Sequence, residues 1–264
     1  MSPSRRIVPG LVSVTFRKLP PAEIVALARR AGLVGIEWGG DIHAPHGDVA
    51  RAREVRALTL DAGLRVAAYG SYYRAAGGNP DNPDFARVLE SAVALGAPTI
   101  RVWPGGSGSA KLDPDGRKRV VDDLVRIADL AASAGVSVST EFHDGTLTDT
   151  NDSARLLLSE APHPNLFTYW QPHNGEPTPD CVEGLRAVLP RVSNVHVFHW
   201  WPTSAQRHPL ADGAARWTEF FRELRTLTGE RFALLEFVRD DAEAALLEDA
   251  VTLHAWLGLG NSAP

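Results

Sequence analysis

The sequence predicts a (β/α)8 barrel formed as one domain by residues 1–264. Three observations lead to this fold. Helix-like stretches end four times at a small residue and a glycine and pass directly into an apolar run, eight candidate strands occur in total, and each strand but the last is followed by a loop and a helical pattern. An open doubly wound sheet would usually have fewer strands and a glycine-rich phosphate-binding turn after the first, which this chain lacks.

The four junctions share one chemical signature. A glycine just past a helix can adopt the left-handed conformation that closes the last turn, so each junction predicts a helix, a cap and then a strand. The glycines concerned are Gly32, Gly63, Gly96 and Gly135.

Apolar runs and capping residues place the elements along the chain. Asp48 and Asp113 are typical first-turn caps of helices, and Asp240 or Asp241 is expected to cap the last helix, predicted near residues 241–257. The candidate strands cover residues 8–15, 33–38, 65–69, 99–103, 136–142, 166–170, 194–199 and 231–237.

Composition restricts the class of partner. The formal charge of −5 comes from 27 basic and 32 acidic residues spread through the chain, so no basic stripe for nucleic acid is present. A single cysteine, Cys181, cannot form an internal disulfide, and no apolar run has the roughly 18 residues of a membrane span. The first residues also lack the apolar core of a secretory signal. We therefore expect a cytoplasmic protein that binds a small molecule, with neither nucleic acid nor membrane as a partner.

Polar residues at the ends of four consecutive strands indicate the site. Glu141 ends strand five, Gln171 follows strand six, His196 lies on strand seven and Glu236 ends strand eight. A carboxylate beside valine and leucine is costly to bury unless it is paired or bound to a metal. Because the carboxyl ends of barrel strands meet at one mouth, these residues are candidate ligands of one divalent ion. Such a ligand set suits Mn²⁺, Mg²⁺ or Co²⁺, with Zn²⁺ as an alternative.

Several segments resemble the xylose-isomerase-like barrel superfamily over nearly the whole chain. They are TEFHDGT at residues 140–146, VHV at 195–197, RHPLADG at 207–213 and LEF at 235–237. The early segment GIEWGGDIHAPHGD, at residues 35–48, resembles members described as sugar phosphate isomerase/epimerase. Branches of this superfamily include ketose 3-epimerases, hydroxypyruvate isomerases, inosose dehydratases and the endonuclease IV group.

The resemblance implies a metal site and a reaction. In the epimerases one metal is held by Glu, Asp, His and Glu from strands five, six, seven and eight. Glu141, His196 and Glu236 match the ligands from strands five, seven and eight, whereas Gln171 stands where strand six usually has Asp. His173 is the alternative ligand from strand six. The implied function is a divalent-metal-dependent sugar or sugar phosphate isomerase/epimerase, in which Glu141 and Glu236 move protons next to a carbonyl through a metal-stabilised enediolate. Homo-oligomers are common in the family that the chain resembles.

Further residues near the strand ends are candidate contacts to a carbohydrate substrate. They are Arg207, His173, Glu37, His43, Tyr69, Arg101 and His199.

Three other functions are consistent with the same pattern. A metal-dependent lyase or dehydratase acting on a keto-cyclitol or 3-keto-glycoside begins with the same proton abstraction. An apurinic-site endonuclease would need more His and Asp ligands and a DNA-binding face, which the acidic chain does not offer. A non-catalytic sugar-binding barrel would bind its ligand equally well without metal.

Overall fold

The strands of the protein form a closed parallel barrel in the order β1 to β8 in the computed structural model, which describes residues 5–259. The predicted barrel is therefore confirmed, while residues 1–4 and 260–264 of the predicted domain lie outside the described residues. The strands are β1 Arg5–Val12, β2 Gly35–Gly39, β3 Arg65–Arg74, β4 Thr99–Trp103, β5 Ser137–Glu141, β6 Leu166–Trp170, β7 Val192–Val197 and β8 Gly229–Leu235.

One α-helix follows each strand. The four glycines at the predicted junctions all adopt positive φ, between 66° and 74°, so the predicted caps are confirmed. The helices are α1 Pro21–Arg30, α2 Val49–Asp61, α3 Phe85–Leu95, α4 Pro114–Ser133, α5 Asn151–Glu160, α6 Thr178–Val188, α7 Ala214–Leu224 and α8 Glu243–Leu257.

Aspartates begin two helices as predicted, but not the last one. Asp48 and Asp113 accept hydrogen bonds from the backbone of the first turns of α2 and α4. The predicted cap of α8 is wrong, because Asp240 and Asp241 lie in a 3-10 turn with φ of 59° and 48°, and Ala242 precedes the helix. The Asp241 carboxylate is instead paired with Arg207, 2.6 Å away.

The first strand ends earlier than predicted. It stops at Val12, and Ser13–Phe16 form a 3-10 turn. The hydroxyl of Ser13 accepts from the Gly39 backbone at 2.9 Å, and the hydroxyl of Thr15 accepts from the Phe237 backbone at 2.9 Å. The two hydroxyls thus bind backbone at the carboxyl end of β2 and just after β8.

Apolar side chains fill the barrel and the space between barrel and helices. Inside, Tyr169, Phe232 and Leu234 are buried with small residues of β1 and β3. Because these side chains fill the barrel interior, the open space for a ligand lies at the carboxyl ends of the strands. Within residues 5–259 no helix has both the length and the apolar composition needed to cross a membrane.

A buried carboxylate attaches α8 to the segment before α7. Asp249 is 6% exposed and accepts a hydrogen bond from the Leu210 backbone N–H at 2.8 Å. Burial raises its pKa to about 6, although the bond from Leu210 acts in the opposite direction. The ionised form is therefore less stable in the folded protein than in the unfolded chain.

We predict that Asp249→Asn stabilises the protein above pH 6. The folded state binds the Asp249 proton more tightly than the unfolded chain, so the wild type loses stability as pH rises from about 4 to about 6. Asn cannot ionise, and each pKa unit corresponds to about 1.4 kcal/mol, so the expected gain is on the order of 1–3 kcal/mol. Urea unfolding at pH 4 and pH 8 measures it, with the exposed Asp152→Asn as control. Equal differences at both pH values would contradict the prediction.

Candidate active site

A cavity of about 550 Å³ opens at the carboxyl ends of the strands. Residues from the ends of every strand except β2, or from the loops that follow them, line its wall. This is the end at which essentially all characterised barrels of this type carry their active sites.

Glu141 and Glu236 line this cavity, and the fully buried His196 lies next to both of them. Their ligand atoms lie within 4.8 Å of one another, and all three residues are buried. The Nδ1 atom of His196 is 3.5 Å from a Glu141 oxygen and 3.4 Å from a Glu236 oxygen. β5, β7 and the end of β8 thus bring two carboxylates and one imidazole nitrogen to a single point.

Gln171 joins this group from the end of β6. Its side-chain oxygen lies 2.8 Å from His196 Nδ1. A carbonyl oxygen can only accept a hydrogen bond, so this contact places a proton on Nδ1 when no ion is bound. The four residues predicted as ligands are therefore adjacent, whereas His173 lies farther along the wall and packs against Phe142 at 5.4 Å between ring centres.

The charges around this point favour a cation. Three buried carboxylates, Glu37, Glu141 and Glu236, surround one guanidinium, that of Arg101. Burial acts to lower the pKa of His196, but the carboxylates of Glu236, Glu141 and Glu37 outweigh it and raise that pKa well above its usual value. Buried negative charge in excess, together with oxygen and imidazole donors, fits a hard divalent ion held by Glu141, Gln171, His196 and Glu236.

Arg101 holds two of these carboxylates in place. Its Nε donates to Glu37 at 2.7 Å, and its Nη1 donates to Glu141. Gly70 lies between them on β3, where a Cβ atom would come 2.7 Å from the Glu37 oxygen. A larger residue at this position would therefore collide with the ion pair.

Glu141 is fixed as a carboxylate. The oxygen that accepts from Arg101 also accepts from the Trp103 indole N–H at 2.6 Å. Burial acts to raise the pKa of Glu141, but Arg101 and His196 hold it well below its usual range. Glu141 is consequently suited to binding a cation and poorly suited to donating a proton.

The predicted substrate contacts fall into two groups. Arg101, Arg207 and His173 line the cavity. Glu37, His43, Tyr69 and His199 are not among its lining residues.

The residues of this second group make their contacts outside the cavity. The Tyr69 hydroxyl donates to the Ala44 carbonyl at 2.7 Å, and the His43 ring lies 2.9 Å from the Ser13 hydroxyl. His199 borders a small neighbouring cavity, and Glu37 is fully buried behind the wall. In this structure these side chains support the site from outside the cavity.

Sequence reasoning missed His143. It lines the cavity, and its ring stacks on Trp103 with 4.5 Å between ring centres. Its Nδ1 lies 2.6 Å from the Asp144 carbonyl, which fixes the proton on Nδ1 and leaves Nε2 as the basic nitrogen. His143 follows Glu141 by two positions, and its place directly after the end of a barrel strand could have indicated that it borders the same space.

The sequence analysis also missed one cationic and one aromatic side chain of the cavity, those of Arg17 and Tyr72. Arg17 lines the cavity and is paired with Asp41 and the Tyr72 hydroxyl. Tyr72 belongs to the part of β3 that extends beyond the predicted end at residue 69. The length of this strand was underestimated because its polar and glycine residues do not continue the apolar run.

Comparison with known proteins adds a family match. The model of the xylose isomerase-like TIM barrel family matches residues 25–256. A 3-dehydroshikimate dehydratase from Bacillus anthracis is 27% identical, over 90% of this chain and 93% of the relative.

Solved structures of similar fold include three informative examples. A probable 3-DHS dehydratase from Bacillus anthracis, involved in petrobactin synthesis, superposes with a TM-score of 0.75 at 23% identity, covering 94% of this chain and 98% of its own. A xylose isomerase-like TIM barrel protein from Mycobacterium smegmatis in complex with magnesium gives 0.72 at 17%, with 97% and 98% covered. A 3-keto-D-glucoside 4-epimerase from E. coli gives 0.69 at 18%, with 96% and 99% covered.

We predict that binding of a divalent ion releases about one proton from His196. The raised pKa keeps the metal-free imidazole protonated at pH 7, and an ion needs the lone pair of Nδ1. Affinity should therefore fall as pH is lowered. Calorimetric titration of metal-depleted protein with Mn²⁺ in two buffers of different ionisation enthalpy counts the protons, and His196→Asn is the control that should release none. Equal heats in both buffers would contradict the prediction.

Proposed function

The chain belongs to the xylose isomerase-like TIM barrel family, and from this premise we propose that it is a divalent-metal-dependent dehydratase acting on a cyclic β-hydroxy ketone that carries a carboxylate. The observation that carries this proposal is the division of roles between two neighbouring residues. Glu141 is bound by Arg101 and Trp103, whereas His143 lines the cavity with its Nδ1 directed to the Asp144 carbonyl and its Nε2 outside that contact. This arrangement provides one fixed anionic ligand and one separate imidazole whose Nε2 is available to act as the base of an elimination.

The elimination requires a single base. His143 Nε2 removes the proton from the carbon next to the ketone, and the electron pair of that C–H bond forms a C=C bond as the C–O bond of the neighbouring carbon breaks. The proton is then delivered from His143 to the departing hydroxyl, which leaves as water. His143 ends the cycle in its starting state, so no second acid is needed.

An ion bound by Glu141, Gln171, His196 and Glu236 would supply a Lewis acid that draws electron density from the ketone oxygen. Glu236 is buried, lines the cavity and approaches His196 from the β8 side. It completes the ligand group. The aromatic rings of Trp103, Trp200 and Phe237 in the wall fit the face of a flat ring.

The charge of the cavity rim supports an anionic substrate. Arg17 and Arg207 line the cavity, whereas their paired aspartates, Asp41 and Asp241, do not. The Arg207 guanidinium lies 5.1 Å from the Phe237 ring centre. A planar guanidinium binds a carboxylate through two parallel hydrogen bonds. The substrate of the B. anthracis relative, 3-dehydroshikimate, has a ring, a ketone, a β-hydroxyl and a carboxylate, and it is the first compound to test.

The second candidate is the isomerase or epimerase that the sequence predicts. The observation that favours it is the convergence of Glu141 and Glu236 on the same nitrogen of His196, at 3.5 and 3.4 Å, which brings two carboxylates together as a pair of proton-transfer groups would be. Epimerases also occur among the structures of similar fold. In this mechanism Glu141 would have to accept and return a proton, and its pairing with Arg101 opposes that step.

Product analysis separates the two candidates. We predict that Mn²⁺-loaded protein converts 3-dehydroshikimate in heavy water to a product with new aromatic proton signals, because elimination from this ring leads to a benzene ring. A panel of ketoses should show neither deuterium uptake nor epimers. Proton NMR measures both reactions in one experiment. Deuterium uptake into a ketose without elimination would support the epimerase and overturn the dehydratase.

We predict that His143→Asn lowers the kcat of the dehydration reaction by roughly 10²- to 10⁴-fold, the usual contribution of a general base. Metal affinity should be unchanged, since His143 is not part of the ligand group. Steady-state kinetics and Mn²⁺ titration measure the two quantities. His254→Asn on α8 is the matched control and should keep the wild-type rate. A His143→Asn rate within a few-fold of the wild type would remove this residue from the mechanism.

A further inference from the structure

The second ring nitrogen of His196, Nε2, is not the one that approaches Glu141 and Glu236. Its Nε2 is buried and has no hydrogen-bond partner among residues 5–259. The Oε2 atom of Glu37 lies 3.6 Å from this Nε2. It also has no hydrogen-bond partner within the described part of the chain. Two buried polar atoms that are left unpaired are costly, and here the two lie opposite each other.

Glu37 is held in this position by its other oxygen. Arg101 donates to Glu37 Oε1 at 2.7 Å, and the absence of a side chain at Gly70 leaves the space for this pair. Glu37 is fully buried and does not line the cavity. Its carboxylate is therefore directed at the histidine and not at a substrate.

We propose that Glu37 is a positioning residue that fixes the ring of His196 for metal binding. Its Oε2 accepts the proton of Nε2, so the lone pair of Nδ1 is directed towards the group formed by Glu141, Gln171 and Glu236. The present 3.6 Å exceeds a hydrogen bond by less than 1 Å, and such contacts tighten when a site is occupied. This inference rests on the metal centre of the proposed function.

The same buried network orients a second ligand. Arg101 binds Glu37 on β2 and Glu141 on β5, so one guanidinium connects the support of His196 to the carboxylate beside it. Removing the charge of Glu37 would leave Arg101 paired with Glu141 alone. An experiment must therefore separate an effect through His196 from an effect through Arg101 and Glu141.

The first measurement compares Mn²⁺ affinity of metal-depleted wild type and Glu37→Gln by calorimetry. Loss of a carboxylate that orients a metal-binding histidine typically weakens affinity by 10- to 100-fold, and we expect a loss in that range. Asp249→Asn changes a buried carboxylate outside the cavity and should leave the affinity within about two-fold of the wild type, by the additivity of distant sites. Equal affinities of wild type and Glu37→Gln overturn the proposal while the metal centre stands. A wild type that binds no Mn²⁺ overturns both.

A double-mutant cycle with His196→Asn identifies the route. If Glu37 acts through His196, the Glu37→Gln change has no further effect on Mn²⁺ affinity once the imidazole is absent. If the full loss persists in that background, Glu37 acts through Arg101 and the proposal is overturned.

The position of the His196 proton can be measured in the wild type, so this test does not depend on the folding of a variant. In protein labelled with ¹⁵N-histidine and loaded with Mg²⁺, nitrogen and proton NMR should show His196 with its proton on Nε2 and at low field, as expected for a bond to a carboxylate. A proton on Nδ1 in the loaded protein overturns the proposal.

Discussion

The mouth of this barrel depends on the balance of buried charge. Glu37, Glu141 and Glu236 bring three carboxylates out of water, and Arg101 supplies one permanent positive charge among them. Without an ion, His196 must be protonated to offset part of the excess, which is why its pKa is raised. A divalent ion would take over this role and return the imidazole to its neutral form. The most buried part of the site is thus stable only in combination with a cation or a bound proton.

Barrel geometry explains why these charges can meet at all. Strands β2, β4, β5 and β7 contribute one residue each, and Glu236 directly follows β8. Parallel strands in a closed barrel direct their carboxyl ends to the same space. The arrangement also depends on residues that carry no charge. At Gly70 even a methyl group would come within 2.7 Å of Glu37, so the bare backbone of β3 is what lets Glu37 and Arg101 meet across it.

The sequence predicted the features that depend on local patterns. The glycine junctions and the caps at Asp48 and Asp113 follow from short-range backbone chemistry, and both occur in the structure. It did not specify which residues distant along the chain pair with each other. Asp241 pairs with Arg207 and not with the first turn of α8, and Glu37 pairs with Arg101, 64 positions away. Such pairings are set by the tertiary fold, and no periodicity in the sequence encodes them.

The pairing of Arg101 with Glu141 also bears on the reaction. A two-glutamate mechanism needs both carboxylates to exchange protons, whereas the Arg101 and Trp103 donors stabilise the ionised form of Glu141 and so oppose its protonation. His143, whose Nδ1 is bound to the Asp144 carbonyl, has no such restraint on Nε2. Arg101 therefore favours an elimination with His143 as the base over a proton exchange between Glu141 and Glu236. In this chain the side chain that weighs against epimerisation thus lies on β4 and belongs neither to the metal ligands nor to the base.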